Sequence, residues 1–264
     1  MNLEELGGEL RLLAPHLVAV ALCAARLLPV TFLCPLLGGQ SAPTTVRLAL
    51  VLAFALSVHF AGGVMPPPDV DSMWTLGAYV GKELIFGTAM GLVASLPFDA
   101  ARIGGRFIDL FRGSSAEASL PVAGSRESAT GDGLYQLVVA LAATGVAFPI
   151  LMSAVWKSYA LVPLGGFSPT ESAAMQVVAF AGVTFATGLA IGAPIAGCSL
   201  AVDCLLGVVS RAAPQMNLQE MGSPLRILGG GAVIWLLVGV LSERVLAGIL
   251  DAEWVLHAIY GAVS

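Results

Sequence analysis

Charge is what this chain has least of. Of its 264 residues only 11% are Asp, Glu, Lys or Arg, 57% are hydrophobic, and the mean hydropathy is +0.89. A water-facing domain carries about 25% charged residues, so this composition excludes an ordinary soluble protein. Basic charge is scarcer still: the net charge is −5 and the pI about 5.1. A nucleic-acid surface needs clustered Lys and Arg, and none is present. The three histidines, His16, His59 and His257, are scattered, with no His-x-x-x-His and no Ser/His/Asp grouping. Catalysis needs convergent polar groups, so no enzyme is expected. The glycine runs Gly104-Gly105 and Gly229-Gly230-Gly231 have no Walker lysine and make no phosphate loop. Cys23, Cys34, Cys198 and Cys204 lie in or beside apolar runs without a Cys-x-x-Cys pair, which argues against zinc or redox chemistry. No catalytic, metal or cofactor-binding residue is assigned. The acidic opening, Met1-Asn2-Leu3-Glu4-Glu5, is not the positive n-region of a cleavable signal peptide, so none is expected.

What the chain has is hydrophobic length. Six apolar stretches stand out, at about 12–37, 46–64, 73–98, 134–156, 173–209 and 225–250. Helices satisfy their backbone inside lipid and isolated strands do not, so the expected class is an all-α membrane protein of about six long helices. Pro66-Pro67-Pro68 makes a rigid break, Thr170-Glu171 is placed to open the fifth helix, and Pro194 is expected to kink it. If the helices alternate, the connections after the first, third and fifth carry Arg47, then Arg102, Arg106, Arg112 and Arg126, then Arg211 and Arg226. The other side carries Arg11, Lys157 and Arg244. The positive-inside rule turns the arginine-rich side to the cytoplasm.

Small residues recur four apart, at Gly77 and Gly81, Gly87 and Gly91, and Gly188 and Gly192. Each pair shares a helix face where backbones can approach, although glycine is common in membrane helices anyway. Arg26, Lys82, Glu83 and Asp203 are ionisable groups inside apolar stretches and so need partners or a function. Lys82 and Glu83 point about 100° apart on a helix and do not simply pair with each other. Asp203 reads either as a proton or ion site or as a polar group at a helix end or subunit seam.

The polar stretch 99–133 divides in two. Its first part is an amphipathic helix, with Arg102, Arg106 and Asp109 on one face and Ile103, Phe107 and Leu110 on a neighbouring one. Its second part, from Gly113-Ser114-Ser115 through Pro121 and Gly124 towards Gly131, is rich in small and breaker residues and reads as a loop of roughly 20 residues, either a linker or a gate.

The stretch Gly207-Val208-Val209-Ser210-Arg211-Ala212-Ala213-Pro214-Gln215-Met216-Asn217, continuing in Gly222-Ser223-Pro224-Leu225-Arg226-Ile227, resembles the signature of the SctT/FliR family of type III secretion and flagellar export proteins. Further agreement comes from Arg26, Pro29, Pro35, Gly38, Pro43 and Arg47, from Lys82-Glu83-Leu84-Ile85-Phe86-Gly87, and from Pro97-Phe98 through Asp109 to Arg112-Gly113. Arg112-Gly113 resembles the injectisome branch, which serves secretion in virulence. Leu120-Pro121 stands where the family often has Asp-Pro. The resemblance implies an inner-membrane subunit of a hetero-oligomeric export pore for unfolded proteins, possessing no cofactor. It implies SctR/FliP-like and SctS/FliQ-like partners and an SctU/FlhB-like switch subunit, with many helices raised toward the periplasm. It implies a region 1–165 that is like one partner and a hairpin 166–264 that is like the other. The loop (Gly113, Ser114, Ser115, Pro121, Gly124, Gly131) becomes a pore plug, anchored at its base by Arg102, Arg106, Asp109 and Arg112 through contacts to neighbouring subunits. Arg211, Pro214, Gln215 and Asn217 become a cytoplasmic turn. Outside this resemblance, the alternative is a stand-alone proton-coupled transporter of a small solute, using Asp203 or Glu83.

Overall fold

The computed structural model describes residues 3–39, 42–70, 72–112, 117–118, 127–145, 147–212 and 218–263. These residues are mostly helical, joined by short connections and one two-residue antiparallel bridge. The helices are α1 (Leu3–Leu33), α2 (Thr44–Gly62), α3 (Met73–Arg112), α4 (Ala129–Thr144), α5 (Ala147–Leu161), α6 (Glu171–Ala212) and α7 (Leu218–Val263). A single 3-10 turn, Pro35–Leu37, follows α1. The bridge joins β1 (Glu117–Ala118) to β2 (Glu127–Ser128), with Glu117 opposite Ser128 and Ala118 opposite Glu127. The expected all-α membrane class therefore holds: five helices are long and apolar enough to cross a bilayer, or six spans if α4 and α5 count as one.

Local chemistry sets the helix ends. α2 stops at Gly63, which takes the left-handed conformation (φ 64°) that glycine adopts without cost. α6 begins at Glu171 as expected, because the Thr170 hydroxyl accepts from the Ala173 amide at 3.3 Å. The fourth apolar stretch, expected as one helix, is two. Pro149 lacks an N–H and its ring opposes the carbonyl four residues back, at Gly145, where the helix opens into extended backbone (φ −101°, ψ −157°).

Three helices exceed the expected spans. The stretch 73–98 and the amphipathic segment after it form one helix, α3, of 40 residues; α6 has 42 and α7 has 46. At 1.5 Å per residue these are roughly 60–70 Å long, about twice the 30 Å hydrocarbon core. α6 continues through Pro194.

The chain forms two compact units. The first comprises residues 1–95, 146–180 and 251–264, and the second residues 96–145 and 181–250. At the centre of the first unit, Arg26 of α1 and Glu83 of α3 are completely buried. Arg26 Nε and Nη2 donate to the two Glu83 carboxylate oxygens at 2.5 and 3.1 Å. Nη1 and Nη2 also donate to the carbonyls of Ser158 and Val162, both at 3.0 Å. Ser158 lies in the last turn of α5, its carbonyl also accepting from the Val162 amide at 3.0 Å, and Val162 follows the helix; such a C-terminal end favours a cation. The guanidinium also lies 4.8 Å from the Phe86 ring centroid and 4.4 Å from that of Tyr159.

Glu83 and Lys82 then grip one residue of the turn after α5. Glu83 Oε1 accepts from the Gly165 amide at 2.7 Å, and Lys82 Nζ donates to the Gly165 carbonyl at 3.3 Å. Gly165 has φ 75° and its α-carbon faces the Tyr79 ring, so both backbone conformation and space require glycine. Lys82 and Glu83 thus converge on the same residue of the turn after α5.

A buried pair is costly to break and much less costly to remove whole. Arg26→Met should destabilise the detergent-solubilised protein by about 3–5 kcal/mol, seen as a fall in the midpoint of thermal unfolding. The double variant Arg26→Met/Glu83→Leu should recover a large part of that loss. A double variant no better than the single would show that the backbone groups at 158, 162 and 165, rather than the ion pair, carry the stability.

Candidate functional site at the base of the 113–127 segment

Within the second unit, α3 is held at backbone contact on two sides. A Cβ on Gly104 would stand 2.9 Å from the Gly188 carbonyl of α6 and 2.7 Å from an Ile191 methyl. Gly188 and Gly192 return the contact: their Cβ positions meet the carbonyls of Ala100 and Gly104 at 3.0 and 3.1 Å. Gly105, about 100° round the helix, lies directly against the backbone of Gly131 and Thr130 in α4. These approaches leave no room for any side chain.

The expected pairs Gly188/Gly192 and Gly87/Gly91 therefore do face a helix; Gly87 and Gly91 meet the α1 backbone at Arg26, Pro29 and Val30. Gly77 and Gly81 do not: nothing among the described residues lies within 4 Å of a Cβ built there. Gly131, expected in the loop, stands instead in the first turn of α4, because Ser128 caps that helix.

The close approach of α3 to α4 brings one carboxylate to the α4 N-terminus. Asp109 of α3, 6% exposed, meets the residues that open α4. Its Oδ2 accepts from the Ser128 hydroxyl at 2.7 Å and from the Thr130 amide at 3.0 Å; its Oδ1 accepts from the Thr130 hydroxyl at 2.5 Å. Ser128 Oγ in turn accepts from the Gly131 amide at 2.9 Å. Two amides of the first turn of α4 are satisfied in this way, and the negative charge sits at the positive end of the helix.

Arg112, one turn on from Asp109, completes the arrangement. Its Nη1 lies 3.9 Å from Asp109 Oδ1 and donates to the Thr130 hydroxyl at 3.4 Å. Its Nη2 donates to the Ile227 carbonyl of α7 at 3.0 Å. Arg102 stacks over the Tyr135 ring at 4.0 Å, with its Nε 3.9 Å from Asp132 of α4. Arg106 is exposed. Thus Asp109, Arg112 and Arg102 make their contacts inside this chain.

Of the other expected site residues, Gly113, Ser114, Ser115, Pro121 and Gly124 lie outside the described residues, as do Pro214, Gln215 and Asn217; Arg211 is exposed at the end of α6. Asp203 pairs with Arg226 of α7, Nε to Oδ1, at 2.6 Å. Sequence reasoning missed Ser128, Thr130 and Gly105. Ser128 carried a signal, a capping residue just before an apolar run. Gly105 carried none beyond a glycine pair that fits no phosphate loop.

Asp109→Asn keeps the shape but replaces one acceptor oxygen with a donor amide. Hydrogen exchange at the Thr130 and Gly131 amides should rise about tenfold, the change expected on losing one hydrogen bond to a charged group. Unchanged exchange would show that Asp109 does not hold the start of α4.

Comparison with known proteins places this chain in a family. The profile of bacterial export proteins, family 1, matches residues 17–251. "Yop proteins translocation protein T" of Yersinia pestis is 34% identical over 196 residues, covering 72% of each chain. "Flagellar biosynthetic protein FliR" of Bacillus subtilis is 28% identical over 199 residues, 73% of this chain and 75% of its own. "Surface presentation of antigens protein SpaR" of Shigella sonnei is 28% identical over 197 residues, 73% and 74% respectively. The family match over most of the length, together with relatives from both translocation and flagellar systems, identifies this multi-pass membrane chain as a member of the SctT/FliR family of type III export proteins.

Proposed function

We infer that this chain is a structural and gating subunit of a type III export gate in the bacterial inner membrane, through which unfolded proteins are exported. The observation that carries the gating part is the Asp109 cluster. It ties the end of α3 to the start of α4 by three hydrogen bonds, so the 113–127 segment leaves and re-enters a fixed base. A segment rich in Gly and Ser on such a base is suited to block a pore and to be displaced by a passing chain.

The assembly proposed with it contains SctR/FliP-like and SctS/FliQ-like subunits and an SctU/FlhB-like switch subunit, which meets the cytoplasmic turn at Arg211, Pro214, Gln215 and Asn217. Regions 1–165 and 166–264 take the places of the two partner types. The glycine face at Gly77 and Gly81 is available to such neighbours. Helices of roughly 60–70 Å support a position raised out of the bilayer toward the periplasm. The transporter alternative gains no support, because both of its candidate coupling carboxylates are held by arginines: Glu83 by Arg26 and Asp203 by Arg226.

Co-expressed with its neighbouring membrane subunits, the tagged chain should purify in mild detergent as one copy in a larger complex. Deleting 114–126 in that complex should raise the ion leak of the closed gate in planar bilayers. A complex that assembles and stays tight without the segment would refute the plug.

A further inference from the structure

The helix α7 carries three successive glycines, Gly229-Gly230-Gly231, and three glycines inside a membrane-length helix require a reason. Each costs up to about 1 kcal/mol relative to alanine. Arg112 supplies the reason. In a helix, the carbonyl of residue i lies beneath the side chains of residues i+3 and i+4, so Gly230 and Gly231 uncover the Ile227 carbonyl. A carbonyl has two lone pairs and can accept a second bond besides its helical one. Arg112 Nη2 makes that bond at 3.0 Å. The stem of Arg112 lies in the gap: a Cβ on Gly230 would stand 2.9 Å from both Arg112 Cγ and Cδ and 3.1 Å from Nε, whereas a Cβ on Gly231 would make an ordinary 3.7 Å contact with Nη2.

We propose that Arg112 is a latch that ties the base of the 113–127 segment to α7, with Gly230 as the slot that admits it. The inference rests on the plug reading and deepens it, by naming the element that keeps the plug base in place. The guanidinium holds Thr130 and the Asp109 cluster on one side and the α7 backbone on the other. Movement of α7 along or about its axis carries the Ile227 carbonyl away, and Arg112 then loses its shortest hydrogen bond. Its Nε, buried and without a hydrogen-bond acceptor among the described residues, adds nothing to hold it there. The position of α7 therefore biases whether the segment's base is tied down. Arg112 acts here as a positioning residue.

The test uses the full chain in the co-expressed gate complex, with ion leak in planar bilayers as the readout and Gly229→Ala, whose Cβ would meet only Cys198 Sγ at 3.9 Å, as a variant expected to stay tight. Gly230→Ala, which expels the stem, and Arg112→Met, which keeps the stem and removes the hydrogen bonds, should each raise the leak roughly tenfold, as expected for one charge-assisted hydrogen bond. The double variant should leak no more than either single. Additive leaks, or tight singles beside a leaky 114–126 deletion, overturn the latch while leaving the plug standing. If the deletion itself is silent, the plug reading fails, and the tie is judged by hydrogen exchange: Arg112→Met must speed exchange at Thr130, and unchanged exchange overturns it. Loss of assembly in both single variants makes Arg112 a structural strut and also overturns the latch.

Discussion

A helix end buried away from water must find partners for its free backbone groups, and the whole structure answers to that constraint. Two carboxylates of α3 do much of this work. Glu83, with the arginine it holds, closes the C-terminal end of α5 and the turn after it; Asp109 closes the N-terminal end of α4. In each case the sign of the charge at the helix end agrees with the dipole, cation at the carbonyls and anion at the amides. The same helix thereby sets where two others stop and start. A long α3 is needed for this, because a helix ending near residue 98 would present Glu83 and leave α4 without its acceptor.

Close approach is the second requirement. Short polar contacts between helices need backbones near enough for side chains such as Asp, Ser and Thr to span the gap. Gly104 and Gly105 allow it on two faces at once, toward α6 and α4. With no hydrophobic drive between helices in lipid, such surfaces gain from dispersion and from hydrogen bonds that only close packing permits. The adjacent glycines and the carboxylate one turn beyond them are therefore one device: the first sets the distance and the second uses it.

The sequence made the class and the family legible, because those depend on composition, apolar length and a motif spread along the chain. It also showed that Arg26 and Glu83 needed partners, since a charge in an apolar run always does. It did not show that they partner each other, because that depends on how α1 and α3 pack, and no periodicity encodes it. The separation of α4 from α5 was readable in Gly145 and Pro149, once the proline's clash with the residue four back is considered. The merging of 73–98 with the amphipathic segment was not, because a change from apolar to amphipathic pattern looks like a boundary while the backbone continues unbroken. Of the site, Asp109 and Arg112 could be picked out as charges on a helix face, but their acceptors and donors are a capping serine, a threonine hydroxyl and a backbone carbonyl, groups too common in sequence to stand out.

The composition of the loop base has a consequence for how it can move. Ser128 and Thr130 each have one hydroxyl proton, and both protons point to Asp109; the oxygens then accept from the Gly131 amide and from Arg112. Each hydroxyl donates once and accepts once, so neither can turn away without leaving another group unsatisfied. A half-satisfied buried network is costlier than either a complete one or a fully hydrated one. The base therefore favours two conditions, closed with all bonds made or opened to water with all bonds exchanged, over anything between. Under the plug proposal, displacement of the segment would then require this cluster to give way as a whole.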